Sequence, residues 1–162
     1  VIKQEGFVKS IPIPGTSVFI GGKYDLLVQN QDGTHTIVDF KISKPDDGKI
    51  EKYQTQLGAY KFALENPASG EAIKITRLAL LVFYPESVSF KNGIAQVNFP
   101  PKWLEIPAND RAFLKLAREI DTLLSEPLPP ENPNCKWCAY RHVGEQMNHH
   151  QSTASFDDDK PF

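Results

Sequence analysis

The chain has 162 residues, a hydrophobic content of 40% and a charged content of 23%, which are ordinary values for a globular domain. A chain of this length buries a sizeable core, and we expect one main domain. The formal net charge of −2 excludes a uniformly basic protein, so any contact with nucleic acid must rely on local clusters of Lys and Arg. No apolar run has membrane-spanning length, no signal peptide opens the sequence, and two cysteines make no secreted disulfide framework. We therefore expect a cytoplasmic protein with no membrane partner.

The first third of the chain predicts three β-strands. Alternation of apolar and polar residues predicts a strand within 1–14, a second at 18–29 and a third at 35–42. Residues 30–33, Asn-Gln-Asp-Gly, have the composition of a hairpin turn. The second and third strands are therefore expected to pair with each other, and a polar loop at 43–48 follows them.

Two of these predicted strands carry acidic residues. Asp25 lies on the second strand, and Asp39 and Lys41 lie on the third. Residues two apart on a strand share a face, so Asp39 and Lys41 point the same way while Phe40 points into the opposite layer. The hairpin can bring Asp25 alongside them. Two carboxylates and the carbonyl of Phe40 would suit Mg²⁺ or Mn²⁺, and a lysine beside such an ion is well placed to orient water or stabilise negative charge.

A simpler interpretation of the Asp39 and Lys41 pair is a solvated strand face. The surrounding sequence argues against it, because Asp39 stands within Ile37-Val38-Asp39-Phe40, where a buried strand would be apolar. A carboxylate in such a position costs stability unless it is paired or bound to a metal.

The helix predicted at 50–65 adds two polar side chains to this region. Gln56 and Tyr60 are four residues apart and therefore lie on one helix face. An apolar stripe at helical spacing predicts the buried side: Tyr53, Leu57, Tyr60 and Leu64. The nearly all-apolar segment 75–84 predicts a buried central strand, so that strand, helix and strand form a crossover unit.

The second half of the chain predicts fewer elements. A looser strand is expected at 94–99, followed by a Pro-rich bend at 100–101. Trp103 is expected to anchor the core or the bend rather than to stack on a nucleic-acid base. A helix is predicted from Asn109 or Asp110 to Ser125. Its expected buried stripe is Phe113, Leu116, Ile120 and Leu123 or Leu124.

Three motifs in the first half occur in a recognisable order. They are Gly-x-x-Asp at 22–25, Asp-x-Lys at 39–41 and Gln-x-x-x-Tyr at 56–60. Together they resemble the PD-(D/E)XK nuclease superfamily. The resemblance is closest to its RecB-like branch, which includes the nuclease domain of the RecBCD helicase-nuclease and CRISPR-associated exonucleases. Each motif alone is weak, but the three at these spacings, over residues 21–84, are fairly specific.

The resemblance implies an α/β fold of the restriction-endonuclease-like type, with a mixed central sheet flanked by helices. It also implies roles for six residues: Asp25, Asp39 and the Phe40 carbonyl as ligands of Mg²⁺ or Mn²⁺, Lys41 as the catalytic lysine, and Gln56 and Tyr60 lining the active site. The resemblance further implies a helical segment before the first strand, which often supplies another acid or His. We expect that segment to be missing from this sequence.

The expected function is therefore a metal-dependent deoxyribonuclease, and within that class an exonuclease of DNA recombination, DNA repair or phage DNA processing. The alternative is a catalytically silent nuclease fold that binds DNA or repair proteins. A third interpretation is a zinc-stabilised interaction module. The lysines expected to face DNA, or else to form a solvated helix face, are Lys41, Lys44, Lys49, Lys52 and Lys61.

A Cys-x-x-Cys pair follows a Pro-rich segment that begins at Pro127. Cys135 and Cys138 are expected to lie on a loop, where such a pair favours metal binding over a disulfide in a cytosolic protein. Many RecB-like nucleases hold three of four iron–sulfur ligands at this place, but this chain has only two cysteines and cannot build a four-cysteine cluster by itself. Three interpretations remain open: a zinc site completed by His142 or by the His149-His150 pair, half of a site that the missing N-terminal part completes, and a relic pair without a stable metal.

The last residues carry a separate signal. The sequence ends in Asp157-Asp158-Asp159-Lys160-Pro161-Phe162, which is similar to the tip of bacterial single-stranded-DNA-binding protein that docks on DNA-repair enzymes. This similarity implies a docking peptide for repair machinery, and the alternative is a solubilising tail. The expected organisation is a nuclease core at 1–126, a Pro-rich and Cys-x-x-Cys segment packed on it at 127–147, and a flexible acidic tail at 148–162.

Overall fold

The computed structural model describes residues 2–44, 49–128 and 130–152. The strands are β1 (Ile2–Lys9), β2 (Gly21–Gln29), β3 (His35–Ile42), β4 (Ile75–Phe83), β5 (Ser87–Lys91), β6 (Ile94–Asn98) and β7 (Pro101–Ile106). The helices are α1 (Lys49–Glu65), α2 (Asp110–Ser125) and α3 (Lys136–Ser152). The chain divides into two compact units, Val1–Ser125 and Glu126–Phe162. Within the described ranges no helix is long and apolar enough to span a membrane.

The first unit is built on a five-stranded mixed sheet in the order β1-β2-β3-β4-β7. β3 and β4 are parallel and α1 connects them, whereas the other neighbouring pairs are antiparallel. This arrangement confirms the predicted α/β fold, with a mixed central sheet and helices flanking it. The strand at 35–42 and the crossover through α1 were both predicted from the sequence.

The core forms where α1 packs on the sheet. Leu57 and Leu64 of α1 are buried in one cluster with Ile37, Leu78 and Leu80 of the two parallel strands. The apolar stripe predicted for this helix is therefore confirmed. Because α1 covers the face of the sheet that carries Ile37, it also covers Asp39, two residues further along the same strand.

A second, smaller cluster holds α2 against the segment between β1 and β2, where Ile13 packs with Phe113 and Ala117. The longer stripe predicted for α2 is wrong, because Ile120, Leu123 and Leu124 are 39%, 59% and 74% exposed. Beyond Ala117 a polar contact replaces the apolar ones: Asp121 Oδ1 accepts hydrogen bonds from the backbone N and the Oγ of Ser17, at 2.8 and 2.6 Å.

Two strands were not predicted. β5 pairs with β6 through a turn at Asn92 and Gly93, whose φ angles of 51° and 77° fit a two-residue hairpin loop. β7 begins at Pro101, where a bend was expected. Proline is tolerated there because β7 is the edge strand and Pro101 is its first residue.

The expectation that Trp103 anchors the core or a bend is also wrong. Trp103 lies on β7, 46% exposed, and its Nε1 donates a hydrogen bond to Glu105 Oε1 at 3.0 Å. An edge strand with a polar partner for the indole holds the ring at the surface rather than in the core.

The second unit contains α3, where the sequence predicted a loop. Cys135 precedes this helix directly, and Cys138 lies in its first turn. The helix lacks an apolar stripe, which is why periodicity did not reveal it. Ion pairs support it instead, including Arg141 with Glu145 four residues on. It continues to Ser152, so residues 148–152 of the predicted tail are helical, whereas Asp157, Asp158, Asp159, Pro161 and Phe162 lie outside the described residues.

Candidate active site

The hairpin of β2 and β3 brings two carboxylates together at the point where its ladder ends. The last pair of the ladder is Leu26 with Val38, so Asp25 and Asp39 occupy the next facing positions. The backbone ladder does not continue there. Instead, the backbone N of Phe40 donates a hydrogen bond to Asp25 Oδ2 at 2.8 Å. The Asp25 side chain thus takes the place of a main-chain acceptor and is held between the two strands.

Asp39 is the buried member of the pair, at 4% exposure. Its Oδ2 forms an ion pair with Lys41 Nζ, but no described residue offers this atom a hydrogen bond of good geometry. Burial raises the pKa of the Asp39 carboxyl, Lys41 lowers it, and the nearby charge of Asp25 raises it further. Among the described residues, the arrangement therefore sets two carboxylates, one of them desolvated, against the ammonium of Lys41.

α1 supplies the other side of the site. Gln56 Nε2 lies 3.5 Å from Asp39 Oδ1 and donates to Tyr60 Oη at 3.2 Å. Tyr53, one turn earlier, lies under Lys41, whose Nζ is 4.9 Å from the ring centroid. One face of α1 thus contacts both Asp39 and Lys41.

Tyr53 was predicted only as a core residue. The one sequence signal for its position beside Lys41 is that it lies three residues before Gln56 and seven before Tyr60, and therefore on the same helix face as both. Aromatic residues at such spacing also form ordinary core stripes, so the sequence does not separate the two cases.

Gly22 shows why the Gly-x-x-Asp motif begins with glycine. A Cβ atom placed on Gly22 would lie 2.9 Å from Cε1 of the Tyr60 ring, closer than real Cβ contacts. The missing side chain lets the Tyr60 ring pack directly on β2. At Gly21, by contrast, a Cβ atom would meet nothing within 4 Å.

The structure thus brings together five of the residues singled out from the sequence: Asp25, Asp39, Lys41, Gln56 and Tyr60.

The lysines that were predicted to face DNA do not form one exposed cluster. Lys61 Nζ forms ion pairs with Glu65 at 2.9 Å and with Asp110 at 2.8 Å, and the second of these links α1 to α2. Lys41 is paired with Asp39, and the side chain of Lys49 lies outside the described part of the chain.

The Cys135 and Cys138 pair lies in the other unit. Cys135 Sγ accepts a hydrogen bond from the backbone N of Cys138 at 3.5 Å, as a capping group does at a helix N-terminus. This bond lowers the pKa of the Cys135 thiol, and the hydrogen bond between the two sulfurs raises the pKa of Cys138. The two cysteines are therefore chemically unequal.

His142, one candidate for a third ligand beside the cysteines, is engaged elsewhere. Its Nε2 lies 2.5 Å from Glu131 Oε2 and its Nδ1 lies 3.2 Å from Glu145 Oε2, and these carboxylates raise its pKa. In the described part of the chain, no three or more His, Cys, Asp or Glu residues are grouped so as to hold a metal ion. The side chains of His149 and His150 lie outside that part, so the metal site at Cys135 and Cys138 stays a prediction.

The comparison with known families agrees with the motifs. The family model of the PD-(D/E)XK nuclease superfamily matches residues 2–143, and the chain belongs to this superfamily, whose nucleases typically use divalent metal ions. No curated protein matches the sequence significantly. A solved structure titled "Crystal structure of SSO0001" is similar at a TM-score of 0.46 and 19% identity, over 88% of this chain. The chain spans 59% of the length of that protein.

The contact between Gly22 and Tyr60 predicts a specific effect on activity. In Gly22→Ala the new methyl group displaces the Tyr60 ring and, through Gln56, disturbs Asp39. We expect the rate of any DNA cleavage by this chain to fall about tenfold or more, because small displacements of positioning groups are costly. Initial rates on linear DNA measure the effect.

Gly21→Ala is the matched control, since it changes the neighbouring glycine without a steric conflict. Both variants are expected to show the circular dichroism spectrum of the parent protein. Equal rates for Gly22→Ala and Gly21→Ala would show that the contact has no bearing on activity.

The inequality of the two thiols predicts selective alkylation. The thiolate is the reactive form, so iodoacetamide at about neutral pH should modify Cys135 before Cys138. Mass spectrometry of peptides from timed samples measures both rates. In urea, where the helix is lost, the rates should converge. Faster modification of Cys138 in the folded protein would contradict the capping geometry.

Proposed function

We propose that this protein is a Mg²⁺- or Mn²⁺-dependent deoxyribonuclease. The observation that carries the proposal is the arrangement around Asp39: a buried carboxylate, a second carboxylate at the facing position and one ammonium. Membership in the PD-(D/E)XK nuclease superfamily gives the reaction class. The substrate, the metal and the residue roles belong to the proposal.

The residues fit a hard divalent cation. Asp25, Asp39 and the carbonyl of Phe40 would hold it, since oxygen donors are the ligands that Mg²⁺ and Mn²⁺ prefer. The buried Asp39 Oδ2, which has an ionic partner but no hydrogen bond of good geometry from the described residues, supports this fit. Bound there, the ion would supply Lewis acidity, which lowers the pKa of water and stabilises negative charge on a phosphate.

Lys41 is the proposed catalytic lysine. Its ammonium can orient the attacking water and stabilise the charge that develops on the phosphodiester in the transition state. In the structure, the Lys41 ammonium instead forms an ion pair with the Asp39 carboxylate. Lys41 is therefore free to turn towards a phosphate only when another cation compensates that carboxylate. The Tyr53 ring would hold the ammonium near the site during this change of partner.

Gln56 and Tyr60 are proposed to line the site and to orient these groups. The amide of Gln56 is shared between Asp39 Oδ1 and Tyr60 Oη, which leaves the hydroxyl hydrogen of Tyr60 available to an acceptor. A phosphate oxygen of the substrate is such an acceptor. The pair would thus restrict the rotation of the Asp39 carboxylate and contact the scissile strand.

The finer assignment is an exonuclease of the RecB-like branch, acting in DNA recombination, DNA repair or phage DNA processing. It is supported by the order and spacing of the three motifs. Docking of the end of the chain on repair machinery, through Asp157, Asp158, Asp159, Pro161 and Phe162, is a separate part of the proposal and is supported by sequence alone.

The test is DNA cleavage by the purified chain with Mg²⁺ or Mn²⁺. We expect release of nucleotides from linear DNA, no cleavage by Asp39→Asn, and a kcat about 10²- to 10³-fold lower for Lys41→Met, as for loss of one preorganised donor. Mn²⁺ should raise the Tm of the parent protein, because a ligand of the folded state stabilises it, and should leave the Tm of Asp39→Asn unchanged.

Lys115→Ala is the control for loss of a positive charge, since the Lys115 side chain is 77% exposed and, among the described residues, forms an ion pair with Glu119 of the same helix, α2. It should cleave like the parent protein. Cleavage by Asp39→Asn and Lys41→Met at the parent rate would refute the assigned site. A folded parent protein that gains no stability from Mn²⁺ and cleaves no DNA would favour a silent nuclease fold.

A further inference from the structure

Two exposed aromatic rings, one on β1 and one just before β2, each have a lysine beside them. Phe7 of β1 is 87% exposed, and Lys23 Nζ lies 5.9 Å from its ring centroid. Phe19, just before β2, is 52% exposed, and Lys9 Nζ lies 4.9 Å from its ring centroid. We call these four residues, Phe7, Lys9, Phe19 and Lys23, the aromatic–lysine surface.

The strand register places this surface on one side of β1 and β2. Phe7 pairs directly with Lys23, and directly paired residues share a face. Lys9 is two residues from Phe7 on the same strand and therefore shares that face too. Among the described strands, β1 is at the edge of the sheet.

A cavity lies beside this surface. Its volume is about 580 Å³, and Phe7 and Lys9 line it together with Gly22 and Tyr24. Gly22 packs on Tyr60, and Tyr24 directly precedes Asp25 in the sequence. Val8, between Phe7 and Lys9, packs in the core with α1, so the aromatic–lysine surface lies on the other side of the sheet from Asp39, and a bound chain would have to pass round the β1 edge to reach the carboxylates.

We propose that the aromatic–lysine surface binds single-stranded DNA by stacking of bases on Phe7 and Phe19. The inference rests on the proposed deoxyribonuclease function and specifies the form of its substrate. Bases have apolar faces and phosphates are anionic, so aromatic rings accompanied by ammonium groups match both parts of the nucleotide. The net charge of −2 requires such local attraction.

The chemistry favours single-stranded DNA over two other occupants. In a duplex the base faces are stacked on one another and cannot reach an aromatic side chain, so the rings would contribute nothing. An apolar protein surface would bury the Lys9 and Lys23 ammonium groups without partners, which is costly, although Glu5 partly compensates Lys23.

The test measures binding apart from cleavage. A fluorescein-labelled oligothymidylate of about 20 nucleotides, in buffer with EDTA, reports affinity by fluorescence anisotropy, at a length that covers more than one binding site of this kind. We expect Phe7→Ala to weaken binding about 5- to 100-fold, the range for loss of one base–aromatic stack, while Phe7→Tyr keeps the affinity of the parent protein. Affinity for a blunt duplex should be the same for all three proteins.

Phe90→Ala is the matched control, because Phe90 is 79% exposed on the β5–β6 hairpin, outside this surface. Three outcomes overturn the proposal: no binding of oligothymidylate by the parent protein, unchanged affinity in Phe7→Ala, or an equal loss in Phe90→Ala. The assay also separates the two proposals. If the protein binds oligothymidylate through Phe7 but does not cleave DNA, the binding surface is supported and the nuclease assignment is refuted. If the protein cleaves DNA but Phe7→Ala binds as tightly as the parent protein, the nuclease assignment is supported and the binding surface is refuted.

Discussion

The burial of one carboxylate, that of Asp39, is the constraint on which the rest of the candidate site depends. Ile37 and Val38 beside it are fully buried, so this part of β3 offers an ionised group almost no water. Such a group persists only when cations or donors compensate it. Lys41 provides one positive charge, but Asp25 adds a second negative charge next to it. The balance of charge within the described site therefore favours one more cation.

The sequence was sufficient for the elements that follow strong local rules. An acidic residue in an apolar strand identified Asp39, and the alternation of side chains on a strand joined it to Lys41. Helical periodicity identified α1, and the i, i+4 spacing joined Gln56 to Tyr60. The crossover between parallel strands followed from the order strand, helix, strand. These features require only near neighbours in the sequence.

The features that sequence analysis missed depend on contacts between distant segments. β7 exists because β4 offers it a free edge, which no local pattern around Pro101 reveals. The polar contact between Asp121 and Ser17 allows the end of α2 to expose its leucines, although the helix pattern predicted a continuous buried stripe. Tyr53 packs against the core as the periodicity predicted, but its contact with Lys41 was missed, because the helical spacing is the same whether or not the ring also lies beside a lysine.

The pairing of lysines with carboxylates in the first unit bears on how this protein could bind DNA. Lys41 and Lys61 carry positive charge close to the site, but both are paired with carboxylates and so offer little net attraction to a phosphate. Beside the exposed rings, Lys23 is also paired, with Glu5, whereas Lys9 next to Phe19 has no ion pair among the described residues. Stacking energy does not depend on net charge, and it suits a protein whose formal charge is negative. An edge strand is a suitable place for it, because aromatic rings exposed there leave the packed face of the sheet undisturbed.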